Sequence, residues 1–313
     1  MSALRETMES QPSVLAKILE NREPVGAAAE RLAGRRVLLV GTGTSWHAAH
    51  QGAAFLRRAG LEAWGVQAAD AALGDPFPGE GDALILLSHR GWKRMTSDVL
   101  ARARECGVAT VVIAGEGVDA DLHTSPQETS ATFTASHLGA LLRLAQLAEH
   151  LGADLGTLAD LPGAVAAELD GAPAGVPVPE RFIQYAGVGI NAWTAAEGAL
   201  KMAEAAFVAS EGLSCESTIH GPAAALGARD ALVCLDGGTA SSRIDDLATV
   251  VRAHGTAVHR FTRTGLGEAL SVFPLTVVVQ KIALEASEAL GTNPDTFGRD
   301  LPGRGEAWAA VEL

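Results

Sequence analysis

The strongest constraint on this chain is an apolar run that ends in a glycine turn and passes at once into a helical pattern. Val37-Leu38-Leu39-Val40 leads into Gly41-Thr42-Gly43-Thr44-Ser45, and a helical stretch follows from Trp46 to Gly60. An apolar run this short, closed by glycines, reads as a buried strand, and a strand entering a helix through a tight turn is one βα unit. The pattern recurs. Residues 82–88 make a second strand with a helix through Cys106 behind it, and 108–114 make a third. Strands that alternate with helices build a parallel, doubly wound α/β sheet, because neighbouring parallel strands need a crossover and a helix supplies it. The 35 Gly, against 8 Phe, 5 Trp and 1 Tyr, suit small-residue helices packed on such a sheet through tight turns.

The pattern restarts in the second half. Residues 181–189 read as a strand into a glycine turn, 192–209 as a helix, 230–236 and 256–261 as strands flanking a helix at 244–253, and 272–291 as a strand or helix start leading into a long helix. A helical leader at 2–21 is expected to be interrupted by Pro12, and 137–151 is an apolar helix. The Gly-, Ala- and Pro-rich stretch 152–179, with one helical patch around 164–169, is the best boundary. The expected organisation is a first domain at 1–155 with the leader helix, a linker at 156–180 and a second domain at 181–313. GTGTSW (41–46) and GVGINAW (187–193) hold corresponding places, which suggests an internal duplication. Ligands of such sheets bind outside the carboxyl ends of strands, so the two glycine turns are the first places to look.

Charge narrows the partners. With 24 Lys and Arg against 37 Asp and Glu the net charge is −13, which repels nucleic acid and anionic membranes but leaves room for a small anion held by local donors. A hydrophobic content of 48% with 19% charged residues excludes a disordered chain. Three cysteines without CxxC spacing indicate neither a disulfide framework nor a thiolate zinc site, and fit a reducing cytoplasm. The charged N-terminal stretch and the lack of an uninterrupted apolar run of about 18 residues lead to the expectation of a soluble, unexported protein.

Four motifs carry chemistry. The first glycine turn, Thr42, Gly43, Thr44 and Ser45, exposes backbone N–H groups and hydroxyls at a helix start, a ready anion site; a purely structural turn is the other reading. A dinucleotide fingerprint is disfavoured because Trp46 stands where a third small residue is needed. Ser88-His89-Arg90-Gly91-Trp92-Lys93-Arg94 follows a strand directly, and its cations at a helix start run against the dipole, which favours an anionic ligand. Glu197, Lys201 and Glu204 lie at i, i+4 and i+7, one stripe of a helix, with Leu200, Ala203 and Phe207 expected in the neighbouring core stripe. Such a row is most often an exposed salt-bridged face, yet a lysine between two carboxylates can also keep one of them ionised as a base and hold a developing enolate. His220-Gly221-Pro222 puts a histidine on a turn before a new helix. His47-x-x-His50 has no acidic third ligand near it and is read as structural, so no metal site is expected.

Taken together, GTGTSWHA (41–48), the Ser88 turn, ETSATFTA (128–135), AEGALKMAE (196–204), HGP (220–222) and GTNPD (291–295) resemble the tandem sugar isomerase (SIS) domain proteins, nearest to the isomerase half of glucosamine-6-phosphate synthase and its stand-alone relatives. The resemblance implies two flavodoxin-like three-layer α/β/α domains, a homodimer, no cofactor, and a phosphosugar bound between domains and subunits. It implies that Glu204 is the base moving a proton between C1 and C2, with Glu197 and Lys201 as its polar surroundings. It implies that His220, delivered from the partner subunit, opens the sugar ring. Ser45 and Ser88 then correspond to phosphate ligands, and Thr42, Gly43 and Thr44 line the sugar.

The sequence departs from the family in three places. Residue 2 is Ser where the synthase begins with a cysteine nucleophile, so neither ammonia from glutamine nor a synthase is expected. The usual phosphate turn Ser-Gln-Ser-Gly-Glu-Thr is here Ser88-His89-Arg90-Gly91-Trp92-Lys93, which keeps a phosphate possible and also admits a sulfonate or carboxylate. The family's C-terminal lysine has no clear counterpart in 299–313, and Glu216 stands one residue earlier than the glutamate usual before HGP. The leading expectation is an aldose–ketose isomerase for an anionic sugar. A deaminase or deglycase for an amino or glycated sugar phosphate, and a non-catalytic sugar-phosphate sensor, are the alternatives.

Overall fold

A computed structural model describes residues 1–91 and 93–311; Trp92, in the basic turn, lies outside the described residues. The chain forms two compact units, one built mainly from Ser10–Thr129 and Phe133–Pro162, the other from Met1–Glu9, Ser130–Thr132 and Gly163–Glu306.

The first unit holds strands β1 (Val37–Gly41), β2 (Ala63–Gln67), β3 (Ala83–Leu87), β4 (Ala109–Ala114) and β5 (Leu122–His123), paired in parallel in the order β2-β1-β3-β4-β5. That is the flavodoxin-like order, with its switch point between β1 and β3. Its helices are α1 (Ala3–Glu20, from Ser10 on), α2 (Glu23–Glu30), α3 (Thr44–Arg58), α4 (Ala68–Leu73), α5 (Arg94–Glu105) and α6 (Ala135–His150). β1 and β3 are buried along their whole length, so both faces must be apolar. Leu38, Val40, Leu84 and Leu86 pack on Ala68, Ala71, Val99 and Ala103 of α4 and α5. The alternate residues, Leu39 and Ile85, point to the opposite face, where α3 and α6 lie against each other.

The second unit repeats the logic with β6 (Phe182–Gly187), β7 (Ser210–Ser214), β8 (Asp230–Asp236) and β9 (Ala257–Thr262), all parallel in the order β7-β6-β8-β9. Its helices are α7 (Leu161–Asp170), α8 (Asn191–Ala205), α9 (Cys215–Ile219), α10 (Ser241–Ala253) and α11 (Gly267–Leu290). Ile183, Tyr185 and Val233 pack on Ala199 and Met202 of α8 and on Leu275 and Val279 of α11. Ala186, Leu232 and Cys234 pack on Cys215 of α9 and on Ile244 and Leu247 of α10. Each unit is therefore a sheet between two helical layers. α11 is long and apolar enough to cross a bilayer, but 94% of that stretch is buried inside the unit, as in the core helix of an α/β domain.

One feature differs from the expectation. Pro12 does not interrupt the leader: α1 is continuous, with Leu4, Met8, Leu15 and Ile18 buried on both sides of the proline, and that packing outweighs a cost of about 3 kcal/mol for proline inside a helix. The helical patch expected around 164–169, inside the stretch read as a linker, is α7, tied down where Lys281 Nζ donates to the carbonyls of Glu168, Gly171 and Ala172. Of the two readings of 272–291, the structure has the helix, which starts at Gly267 and accommodates Pro274.

Both glycine turns are shaped by close approach. A Cβ on Gly41 would lie 2.5 Å from the Ser45 carbonyl carbon, and one on Gly187 would lie 2.0 Å from the Asn191 carbonyl oxygen. Gly43 and Gly189 follow at φ +56 and +58, a left-handed region that glycine enters without strain. Gly187→Ala is expected to lower the unfolding free energy by about 2–3 kcal/mol, the cost of forcing a methyl group into a closed space. Gly163→Ala, at an open position of α7, is expected to raise it by up to about 1 kcal/mol. Urea titrations followed by circular dichroism distinguish the two; equal midpoints would show that the turn opens freely.

Candidate active site

In the first unit, the switch point between β1 and β3 opens into a small pocket. Thr44 and Ser45 reach it from the start of α3, Ser88 and His89 from the end of β3, and Thr124, Phe133, Ser136 and His137 from the segment that leads into α6. A ring of hydroxyls at a helix N-terminus suits an oxyanion, because the donors and the helix dipole act together. Of the residues expected at this site, Thr44, Ser45, Ser88 and His89 share the wall. Thr42 is exposed at the end of β1 and Gly43 is the residue before α3. Arg90 and Lys93 do not form part of the wall among the described residues. The Arg90 guanidinium lies 5.3 Å from the Phe133 ring centroid and donates to the Glu128 carbonyl at 3.4 Å. The Lys93 carbonyl accepts from Thr96 Oγ1 at 2.8 Å in the first turn of α5.

Glu128 is the main residue here to which sequence reasoning assigned no role. Its buried carboxylate accepts the N–H of Thr134 at 2.9 Å and of Ser136 at 2.8 Å, satisfying the start of α6 from within the chain. Its own N–H donates to His89 Nε2 at 3.1 Å, and the His89 ring meets Phe133 edge to face at 4.9 Å. His89 is 8% exposed, and burial, then the neighbouring Arg90 charge, lowers its pKa from 6.5 to about 4. The imidazole is therefore neutral at physiological pH, with Nε2 accepting and the proton on Nδ1. An acid three to eight residues before an apolar helix was the available signal for Glu128, but its capping partners are backbone groups that no side-chain motif displays.

In the second unit the charged row of α8 is not an exposed face. Glu197 and Lys201 are 0% and 1% exposed at their side chains, and Glu204 is 17% exposed. Lys201 Nζ lies 3.3 Å from Glu197 and 2.5 Å from Glu204 Oε2. The core stripe is also not the expected one: Ala195, Ala199, Met202 and Ala206 face the sheet, while Ala203 is exposed and Leu200 and Phe207 are half-buried. Small residues cause this shift. Gly198 would place a Cβ 2.9 Å from Tyr185 and Val279, so α8 sits tightly enough against β6 and α11 to draw its charged stripe inside. Burial pushes the Lys201 pKa down, but Glu197 and Glu204 outweigh it and leave the net shift upward. The ammonium stays charged between two carboxylates, and Glu204 is the end of the row that solvent reaches.

A buried ion pair is a poor source of stability, since desolvation offsets the Coulomb gain, so this row is better explained by chemistry than by folding. A carboxylate with partial access can take a proton from carbon, and an ammonium 2.5 Å away can hold negative charge that develops on an adjacent oxygen. His220 lies at the end of α9, exposed, with Nε2 2.8 Å from Glu216 Oε1. No group of three or more His, Cys, Asp or Glu side chains suitable for a metal occurs among the described residues.

Comparison with known proteins accords with this architecture. Glucosamine-6-phosphate deaminase from Thermotoga maritima superposes with a TM-score of 0.80 at 20% identity, covering 94% of this chain and 97% of that one. Tagatose-6-phosphate ketose/aldose isomerase from Escherichia coli gives 0.79 at 18% identity, with 95% of each chain covered. The chain has the sugar isomerase fold. In sequence it is 30% identical over 209 residues to glutamine–fructose-6-phosphate aminotransferase (isomerizing) from Aquifex aeolicus, covering 61% of this chain and 35% of that protein. It is 30% identical over 245 residues to the Pyrococcus horikoshii protein of the same name, covering 71% and 41%. The chain thus spans about two fifths or less of the length of these relatives. No family model matches it.

Lys201→Met should leave two carboxylates facing each other in a buried stripe and lower stability by about 3–5 kcal/mol, measured by urea unfolding at pH 7.5. A loss below about 1 kcal/mol, the range of exposed pairs, would show that the row is solvated. A second expectation follows from His89. Its folded pKa, about 4, lies below the unfolded 6.5, so the unfolded state binds the extra proton between these values. Stability is then complete above pH 6.5 and falls toward pH 4 by about 3 kcal/mol from this group. His50, also lowered to about 4 by burial, adds a similar slope. His89→Gln should remove about half of the combined loss, and an unchanged pH profile would show that His89 is solvated in the folded state.

Proposed function

We propose that this protein is an aldose–ketose isomerase acting on an anionic sugar, a sugar phosphate foremost, by proton transfer through an enediolate. The observation that carries this reading is the buried Glu197–Lys201–Glu204 row with its accessible end at Glu204. Glu204 removes the proton on the carbon next to the carbonyl. The electron pair of that C–H bond forms the C1–C2 double bond, and the carbonyl oxygen takes the negative charge beside the Lys201 ammonium. Glu197 keeps that ammonium charged and in place. The hydroxyl proton on the second carbon passes to the first oxygen, the protonated Glu204 returns its proton to the carbon that carried the carbonyl, and the carbonyl re-forms one position along the chain. Base and ammonium both come from the protein.

The anionic group is held by Ser45 and Ser88, with Thr44 beside them and Thr42 and Gly43 shaping the turn. His89 serves as a neutral wall of the same cavity, and Arg90 and Lys93 supply positive potential nearby. His220 opens the sugar ring and, in a homodimer, is contributed by the second copy. A sulfonated sugar fits the same chemistry. A second reading, release of ammonia from an amino-sugar phosphate, begins with the same enolisation and is favoured by the likeness to the Thermotoga maritima deaminase.

A thermal-shift screen of sugar phosphates and sulfonates identifies the ligand, since binding stabilises the native state by mass action. With that ligand in heavy water, Glu204→Gln is expected to bind nearly as well as the original protein. It should slow deuterium incorporation at the enolising carbon by about a hundredfold or more, the effect of losing a general base. Exchange at the original rate would remove Glu204 from the mechanism. Ammonia release from glucosamine 6-phosphate separates the deaminase reading, and binding without any exchange by the original protein would leave a sensor.

A further inference from the structure

His220 has no packed surroundings to orient it. Its side chain is 72% exposed at the end of the five-residue helix α9, and an imidazole in water rotates unless a partner holds it. Glu216, one helical turn earlier, is that partner through Oε1, 2.8 Å from Nε2. The carboxylate is fixed in turn. Arg243 of α10 donates from Nε to Glu216 Oε2 at 3.0 Å and from Nη2 to Oε1 at 3.1 Å, while its Nη1 reaches Asp246 at 2.5 Å. The Arg243 carbonyl accepts the Cys215 thiol at 3.1 Å, which ties α10 to the first residue of α9. The Arg243 contact, then the His220 contact, holds the Glu216 carboxyl below its usual pKa. Exposed ion pairs contribute little to stability, so the fold gives no reason for an arginine to brace the one carboxylate that holds an exposed imidazole.

We propose that Glu216, braced by Arg243, is the positioning residue for His220: it holds the ring through Nε2 and leaves Nδ1 as the nitrogen that handles the proton of ring opening. The proposal rests on the ring-opening role assigned to His220 above. With the Nε2 proton facing Glu216, Nδ1 carries the free lone pair. It takes the proton of the anomeric hydroxyl, whose electrons form the carbonyl as the bond from the anomeric carbon to the ring oxygen breaks. The imidazolium, stabilised by the Glu216 carboxylate, gives that proton to the departing ring oxygen, so histidine ends unchanged. The position of Glu216, four residues before His220, is what places it under the ring, since i and i+4 share one face of a helix.

The test compares a sugar phosphate that cyclises with one that does not. Fructose 6-phosphate forms a ring; erythrose 4-phosphate does not, because its O4 carries the phosphate. Deuterium incorporation from heavy water is followed for both with the original protein and with Glu216→Gln, Arg243→Ala and His220→Ala. Glu216→Gln and Arg243→Ala should slow exchange into fructose 6-phosphate by about tenfold, as loss of an outer partner that orients a histidine does. Exchange into erythrose 4-phosphate should be unchanged, which a general structural defect would not spare. An undiminished rate on fructose 6-phosphate in both variants, with His220→Ala slowed, overturns the positioning role alone. Equal slowing on both sugars overturns it as well. If His220→Ala leaves both rates intact, the ring-opening role of His220 fails and this assignment falls with it. If the original protein exchanges neither sugar, the enolisation reading fails first and carries this one with it.

Discussion

The close approach of a helix to the strand before it sets everything that follows in each unit. At Gly41 and at Gly187 the space for a side chain is filled by the backbone of the next helix, so α3 and α8 begin almost on top of the strands they leave. The same device appears beside them. A Cβ on Gly65 would lie 2.8 Å from the His50 nitrogen, and one on Gly212 would lie 2.1 Å from the Ala195 carbonyl oxygen, so the edge strands β2 and β7 also press against α3 and α8. A helix pinned at its start and along its flank has little freedom to roll. Thr44 and Ser45 are thereby fixed at the mouth of the first sheet, and the 197–201–204 stripe of α8 is fixed inward.

That constraint also explains how a lysine is buried in a protein that has no stability to gain from it. At about 4 Å and an effective dielectric near 20, one ion pair gains about 4 kcal/mol of Coulomb energy, close to what desolvation removes. Lys201 stays charged because two carboxylates reach it, and an i, i+4, i+7 row on a rigid helix delivers both without further ordering of the chain. The cost of the arrangement falls on the excess carboxylate. Glu204 sits at the half-open end, where water or a ligand can accept part of its charge, and that is also where a proton can be delivered.

Much of this was legible in the residues, and the parts that were not share a cause. The central strands β1, β3, β4, β6 and β8 announce themselves as mainly apolar runs, because burial on both faces leaves little place for polar side chains. β2 and β7 do not: Ala63-Trp64-Gly65-Val66-Gln67 and Ser210-Glu211-Gly212-Leu213-Ser214 are edge strands whose glycines answer to a neighbouring helix rather than to strand preference. The α8 row was visible by spacing, but its burial was not, since the choice of core stripe depends on Gly198 meeting Tyr185 and Val279 from distant parts of the chain. Pro12 and Glu128 are the same lesson on smaller scales. In each case tertiary contacts outweigh the local preference on which reading a sequence relies.

The two units share a strand order and a turn, yet their switch points are furnished in opposite ways. After β3 the chain presents Ser88 and a neutral His89 to an open cavity. At the end of β8 the corresponding place holds Asp236, a buried carboxylate that accepts from the Gly238 N–H and the Ser241 hydroxyl, each at 2.8 Å, and from Arg260. Beside it Asn191 donates to Ser271 at 2.9 Å, and a Cβ on Gly237 would collide with both. The second switch point thus carries its own anion and its own donors, and an added oxyanion would have to displace a satisfied carboxylate. A site closed in this way gains nothing from binding a phosphate group. It does gain a fixed anchor at the start of α8, where Asn191 is held by Ser271, and proton transfer from that helix would require such an anchor, because a base displaced by about 1 Å loses about a hundredfold in rate. Filling the second site with its own carboxylate and leaving the first open is the physical form that a division between holding an anion and moving a proton would take.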